Sequence, residues 1–518
     1  MPEHRAARLS DLEEDVPTEV DLGPRKILLV RQGDTVHALA ATCPHRGVPL
    51  SKGVIDRDSI VCAAHRAAFD LATGTVQAPP ACENLARYDV RIEGGEVFVT
   101  VNDATPEHPL PPMARKGNDA RRFVIIGAGA AGWRAAETLR REGFEGSITV
   151  FSDEPHGPLD RVELSKSYLG ADDNPETPLV RSDADRAGID ITLRHATVQG
   201  IDTATHEVVL FHSGERVPFD RLLVATGCDA RPLDLPGVAL PGIHHLRTLA
   251  DADALRRDLA ECPREGPCRV AIVGGGFIGL EVATALSARS DIEVTVVLNE
   301  SLPLAGIFGS EFATRLRDEH QAAGVQFVPD AGVTGFTGGG RVAGLILGSG
   351  QRIEADLVLV AVGARPRTAF LPFPAEQDGG IAVADDLSVP DHPDIYLAGD
   401  IAHLPTPWGR VRIEHWRFAQ ETGELAARNM LGGNESYGGT PFFWTKQQPG
   451  GSYSYTGHAQ EWDSIKGAPD GNSFALNYVN AHKVAAILAL GFDDAVVLAG
   501  RRMGGTGPLP QSQDKPFE

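Results

Sequence analysis

The sequence predicts a multidomain chain: an all-β domain at the N-terminus, two α/β domains built on parallel sheets, and a C-terminal α+β domain. Three observations predict it. Residues 20–101 read as short β segments broken by Gly and Pro. From Arg122 the pattern alternates strand and helix, and twice a strand runs into a glycine-rich turn. From about Pro441 the chain is β-rich again, with Phe442, Phe443, Trp444, Tyr453 and Tyr455.

The bulk properties agree. A chain of 518 residues has room for three or four domains at roughly 100–200 residues each. A hydrophobic content of 42% with 57 glycines suits an α/β protein with many tight turns and argues against disorder. The net charge of −22 speaks against a nucleic-acid partner, because phosphate binding needs clustered Lys and Arg. Met1-Pro-Glu-His-Arg5 and the acidic run after it lack an apolar core, and no stretch approaches ~18 apolar residues, so no signal peptide or membrane span is expected. The chain reads as cytoplasmic. Cys262 and Cys268, a close pair matching no redox motif, are expected to be reduced thiols.

In the N-terminal region, Lys26–Val30, Thr35–Leu39, Ser59–Val61 and Glu96–Val101 are the expected strands. Between them lie Cys43-Pro-His45 and Cys62-Ala-Ala-His65. One Cys and one His per loop, in the order C-x-H…C-x-x-H, match the ligand set of a Rieske [2Fe–2S] centre, where two His replace two Cys on one iron. Zinc usually recruits C-x-x-C knuckles, and these loops are mixed and unequal. Asn102 to Arg121, proline-rich and poor in apolar residues, reads as a linker.

Phe123–Ile126 is a buried strand, Trp133–Glu142 has helical apolar spacing, and Ser147–Phe151 is the next strand. Gly127-Ala-Gly129-Ala-Ala-Gly132 between strand and helix is a dinucleotide fingerprint, with the helix N-terminus facing a pyrophosphate. Asp153 and Glu154 follow the second strand, where an acidic group holds an adenosine ribose. Ala225-Thr226-Gly227 closes another strand, and Gly399-Asp400 recurs far downstream. Together they predict an FAD domain interrupted by a second nucleotide domain. That second domain starts with the strand Arg269–Val273 and carries Gly274-Gly-Gly276-Phe-Ile-Gly279-Leu-Glu281. Its next strand, Glu293–Leu298, ends in Asn299-Glu300, with Glu300 placed for a ribose diol and no nearby Arg for a 2′-phosphate. NADH is therefore expected over NADPH. Gly363 joins the candidate cofactor-binding set.

At this point the chain resembles the Rieske-fused branch of the apoptosis-inducing-factor family and the NAD(P)H-dependent ferredoxin reductases of oxygenase systems. The resemblance rests on the Rieske ligands, both fingerprints, Arg161-Val-Glu-Leu-Ser165-Lys166, Gly399-Asp400, Arg412-Ile-Glu414-His415-Trp416 and Pro441-Phe-Phe-Trp444-Thr. It implies two Rossmann-like, glutathione-reductase-like domains. The resulting division is 1–104 for the Rieske domain, 105–121 for the linker, 122–247 with 368–440 for FAD, 248–367 for NAD(P)H, and 441–518 for a C-terminal domain that is a candidate homodimer contact. The final stretch from Gly504 looks like a flexible tail.

The resemblance also implies roles. Arg161 contacts the FAD diphosphate, Lys166 lies beside the flavin paired with Glu281, and Asp400 binds the ribityl chain. Glu414 and His415 line the isoalloxazine, Trp416 belongs to the same motif, and Trp444 packs near the ring. Three departures stand out. High-potential Rieske proteins have a cysteine at the positions of Val48 and Ala64 and a serine after the second histidine. Their absence here predicts a potential near the low end of the Rieske range, roughly −150 mV. In the second loop, Arg66 stands where the family usually has glycine. Disulfide-reductase relatives carry C-x-x-x-x-C near the Leu-Ser-Lys position, and Leu159 to Lys166 has no cysteine. The expected function is transfer of electrons from NADH through FAD to the chain's own cluster and on to an external acceptor protein such as an oxygenase or cytochrome. The alternative is a redox-sensing flavoprotein with slow turnover.

Overall fold

A computed structural model describes residues 2–503 apart from 103, 171–174, 263–265, 449–450 and 492. The expected tail from Gly504 lies outside the described residues.

The strands of the N-terminal domain pair antiparallel. Its sheets join Thr18–Leu22, Arg25–Gln32 and Thr35–Ala40; Val54–Asp56, Ser59–Val61, Ala68–Asp70 and Val76–Ala78; and Glu3–Arg8, Glu96–Thr100 and Asp89–Glu93. The four strands expected here are all present, shifted by two residues at most. Ile27, Leu28, Leu29, Leu39, Phe69, Val97 and Val99 form its core, and Cys43 and Cys62 are buried with them.

Two parallel sheets follow. The first has the order Thr192–His195, Ser147–Ser152, Arg122–Ile126, Arg221–Val224, His392–Leu397, with an antiparallel edge strand Ser388–Val389. The second runs Ile243–His244, Leu357–Val360, Cys268–Val273, Ile292–Val297, Gln326–Val328. Strand His392–Leu397 returns to the first sheet after the whole of the second. Near-continuous apolar runs such as Phe123–Ile126 and Val270–Val273 are what a strand covered on both faces requires. Helix α1, Ala130–Arg141, and helix α2, Phe277–Ser287, each begin inside a fingerprint. Helix α3, Trp416–Met430, packs along α1.

The C-terminal part is a five-stranded antiparallel sheet, Phe442–Gln448, Gly451–Gly457, Lys483–Leu490, Phe474–Asn480 and Ser464–Lys466. Helix α4, Asp493–Met503, packs on it. No helix among the described residues is long and apolar enough to cross a membrane.

One expectation is corrected. Cys262 and Cys268 form a disulfide, with Cα atoms 5.7 Å apart. Cys262 follows the helix Leu249–Ala260 and Cys268 opens the next strand, so the return of the chain brings them within bridging range. The other four cysteines form no disulfide and are buried.

The linker carries no helix or strand, yet it is tied to both sides. Ala86 N–H donates to Glu107 O at 2.8 Å and Asn84 N–H to Pro109 O at 2.9 Å on the N-terminal domain; Ala114 N–H donates to Arg140 O at 2.9 Å on α1. It stitches the two domains along one seam.

Candidate functional site

Two tight loops at one end of the N-terminal domain present the Cys and His residues. Cys43 N–H donates to Val48 O at 2.9 Å and Gly47 N–H to Cys43 O at 2.8 Å; Cys62 N–H donates to Ala67 O at 2.8 Å and Arg66 N–H to Cys62 O at 3.0 Å. Each loop turns through a left-handed residue, Gly47 at φ +66° and Arg66 at φ +63°. The geometry brings the four candidates together as two pairs. His45 Nδ1 and His65 Nδ1 lie 3.1 Å apart, and the Cys43 thiol hydrogen-bonds that of Cys62. That contact and burial push the Cys43 thiol far up. Burial, joined by nearby cations, pushes His45 down to about 2 and His65 to about 3.

Two adjacent thiols and two adjacent neutral imidazoles fit a binuclear iron–sulfur group, whose irons take a Cys pair and a His pair. Among the described residues no three Cys, His, Asp or Glu converge on one point. A site with two protein ligands per iron has no such triple.

The fingerprints are built alike. A Cβ at Gly132 would lie 1.9 Å from the Gly127 carbonyl oxygen, so only glycine lets α1 start so close to its strand. Gly129, by contrast, faces open space: an added Cβ meets nothing within 4 Å, and the N-terminus of α1 has no side-chain cap. Uncapped N–H groups facing free space fit a pyrophosphate. Gly279 repeats the close approach to Gly274 O, at 2.3 Å, and Gly276 the open space.

Around the first fingerprint, Glu154 is paired with Arg161, whose Nη1 lies 3.1 Å from Glu154 Oε1 and donates to Arg247 O at 2.9 Å. Asp153 is paired with Arg367, whose carbonyl accepts from Thr226 Oγ1 at 2.8 Å. Ala225 N–H donates to Ile126 O at 2.8 Å. Asp400 pairs with Arg247 at 3.1 Å beside Gly227. Gly399 N–H donates to Thr422 Oγ1 at 3.0 Å. Arg412 joins Asp400 O at 2.9 Å to Glu414 at 2.6 Å. In the second domain, Gly363 O accepts from Arg231 N–H at 2.9 Å, and Glu300 is exposed after its strand.

Lys166 and Glu281 form a 2.7 Å ion pair. Glu281, on α2, is buried and also accepts from Ser165 Oγ at 2.7 Å and Thr445 Oγ1 at 3.0 Å. This carboxylate therefore ties together the loop before residue 167, the second nucleotide domain and the C-terminal sheet. A few residues away, Trp444 lies between two histidines. Its ring centroid is 4.4 Å from His65 and 4.7 Å from His415. His415 caps α3, with Nδ1 accepting from Arg417 N–H at 3.3 Å. Burial first, then Lys166 and Arg417, hold its imidazole neutral, down to about 3. Trp416 is half-buried at the start of α3, beside Gly129 and Trp133.

Several residues that build this junction carried no signal of their own. Arg417 Nη1 donates to His65 O at 2.9 Å. Arg46, next to His45, pairs with Asp160 at 2.8 Å and with Glu163. Arg134 on α1 donates to Ala81 O at 3.0 Å and to Glu424 at 2.6 Å; Arg181 donates to Cys82 O at 3.0 Å and to Glu137 at 2.7 Å. The N-terminal domain is thus held against the remainder of the chain by the buried Arg134, Arg181 and Arg417 and by the exposed Arg46.

Comparison with known proteins agrees with this arrangement. Residues 121–423 match the family described as pyridine nucleotide-disulphide oxidoreductase, and residues 3–89 match the Rieske [2Fe-2S] domain. Apoptosis-inducing factor 3 of Homo sapiens is 32% identical over 517 residues, covering 95% of this chain and 82% of that protein. Rhodocoxin reductase of Rhodococcus erythropolis is 36% identical over 333 residues, 63% of this chain and 75% of that protein. The crystal structure of a ferredoxin reductase from Rhodopseudomonas palustris matches with a TM-score of 0.67 at 28% identity, covering 71% of this chain and 91% of that one. The two matched families imply FAD, NADH and a [2Fe–2S] cluster. With a flavoprotein reductase and an iron–sulfur domain matched side by side, the chain belongs to the pyridine nucleotide-disulphide oxidoreductase family, in a Rieske-fused form like apoptosis-inducing factor 3.

Proposed function

We propose that this chain takes electrons from NADH through FAD to its own Rieske cluster, held by Cys43, His45, Cys62 and His65, and delivers them to an external acceptor protein. When bound, the flavin accepts hydride and the cluster carries single electrons. The observation that carries the reading is the position of Trp444, in ring contact with His65 on one side and His415 on the other. Lys166 supplies a cation beside the flavin site, and Glu281, fixed by Ser165 and Thr445, keeps it oriented. The absence of a cysteine from Leu159 to Lys166 leaves no dithiol there as an outlet.

Asp153, Glu154 and Arg161 are the proposed contacts for the FAD ribose and diphosphate, and Glu300 for the NADH ribose. The acceptor class follows from relatives named as ferredoxin--NAD(+) reductase components of biphenyl and p-cumate dioxygenase systems. An oxygenase component or another redox protein is therefore the proposed partner.

An anaerobic NADH titration followed by electron paramagnetic resonance tests this. The expected result is a reduced-cluster signal that grows with added NADH. Flavin bleaching with a cluster that stays oxidised would favour the redox-sensing alternative. Parallel steady-state assays with NADH and NADPH are expected to favour NADH.

A further inference from the structure

Arg66 keeps a long side chain at φ +63°, a conformation that glycine adopts freely. Such a residue persists where its surroundings fix it, and here they lie in another domain. Arg66 is 8% exposed. Its guanidinium carbon sits 4.0 Å over the centroid of Phe442. Nη1 donates to Thr456 Oγ1 at 3.1 Å, and Nη2 donates to the Val496 carbonyl on α4. Phe442 and Thr456 are partners across adjacent strands, so the guanidinium rests on one rung of the C-terminal sheet. Gly500 leaves it room: a Cβ there would lie 2.5 Å from Nη1. Two residues along the same strand, Trp444 meets His65.

We infer that Arg66 is a positioning residue that locks the second cluster loop onto the C-terminal sheet, so that the Rieske domain is a fixed partner of the flavin site and not a swinging one. Its meaning for electron transfer rests on the function proposed above; the docking itself does not. Arg417 works in the same direction, bonding the His65 carbonyl from α3. Arg66→Gly is an informative variant because glycine suits the loop's backbone, leaving the lost side chain as the change. Thr456→Val removes one acceptor on the opposite side of the contact and leaves the cluster loop intact.

The test is native-state hydrogen exchange on the cofactor-loaded full chain. In Arg66→Gly, protection of residues 61–69 and 451–457 is expected to fall together by roughly 10- to 100-fold, the equivalent of a lost hydrogen bond from a charged group. Thr456→Val should lower both segments by a smaller factor. The cluster's visible spectrum reports loading, and stopped-flow absorbance should show NADH-driven cluster reduction slowing in the same order. Unchanged protection at 451–457 in Arg66→Gly, or unchanged protection at 61–69 in both variants, would overturn the inference. A wild-type cluster that NADH never reduces defeats the functional reading, while the exchange data still decide the docking.

Discussion

The rings of His65 and Trp444 lie with centroids 4.4 Å apart. One belongs to a loop of the N-terminal domain and the other to the first strand of the C-terminal sheet, so the contact exists only because the two domains are docked. Trp444 then reaches His415, and Lys166 acts electrostatically on His415. The proposed cluster site and flavin site form one continuous junction.

Replacing a ligand should separate the two halves. Cys62→Ser is expected to yield protein that keeps FAD but loses iron and sulfide, because the substituted hydroxyl is a poor match for a soft thiolate site. Iron analysis with the visible spectrum checks it; full iron content in the variant would remove Cys62 from the ligand set.

The glycines of the first fingerprint should divide into two kinds. Gly129→Ala faces open space and should change stability by no more than about 0.5 kcal/mol, yet weaken FAD retention, since its methyl enters the space left for the pyrophosphate. Gly132→Ala is driven against the Gly127 carbonyl and should lose about 1–3 kcal/mol by overpacking. Urea unfolding and flavin retention on gel filtration distinguish them.

Glu281→Gln leaves Lys166 without its anionic partner in a largely buried site. Breaking a buried pair from one side costs about 3–5 kcal/mol, and the partial exposure of Lys166 points to the low end. The double variant Lys166→Met/Glu281→Gln should recover part of that loss in urea unfolding. Additive losses would contradict a coupled pair.

Glu424 gives the docking a pH dependence. Burial raises its pKa, but Arg134 and Arg141 outweigh that, and the net shift is downward from 4.5. A depressed folded pKa contributes stability fully above the unfolded value and loses it as pH falls through the folded one. Arg134 also holds Ala81 of the N-terminal domain. The melting temperature should therefore drop more steeply below pH about 4.5 in the wild type than in Glu424→Gln, which starts lower at neutral pH. Parallel curves would contradict this.

Local chemistry was legible in the sequence. Cys43, His45, Cys62 and His65 stand out because cluster ligands must come from tight loops, and the two fingerprints because phosphate sites need glycines at fixed offsets. The Lys166–Glu281 pair was legible only through resemblance, since nothing near either residue points to the other. Arg46, Arg66, Arg134, Arg181 and Arg417 bridge domains, and such contacts leave no periodicity in either partner. Arg66 was visible as a departure from glycine, but not its anchorage on Phe442 and Thr456. The disulfide carries no signal in the sequence because a spacing of six residues fits no motif; the helix that ends before Cys262 and the strand that Cys268 opens place the two within bridging range.

The most direct test of a cluster fed from within its own chain is the rate of NADH-driven cluster reduction, followed by stopped-flow at several protein concentrations under saturating NADH. A docked junction predicts a first-order rate constant that does not change with protein concentration. A rate constant rising in proportion to concentration, the mark of transfer between separate molecules, would contradict it.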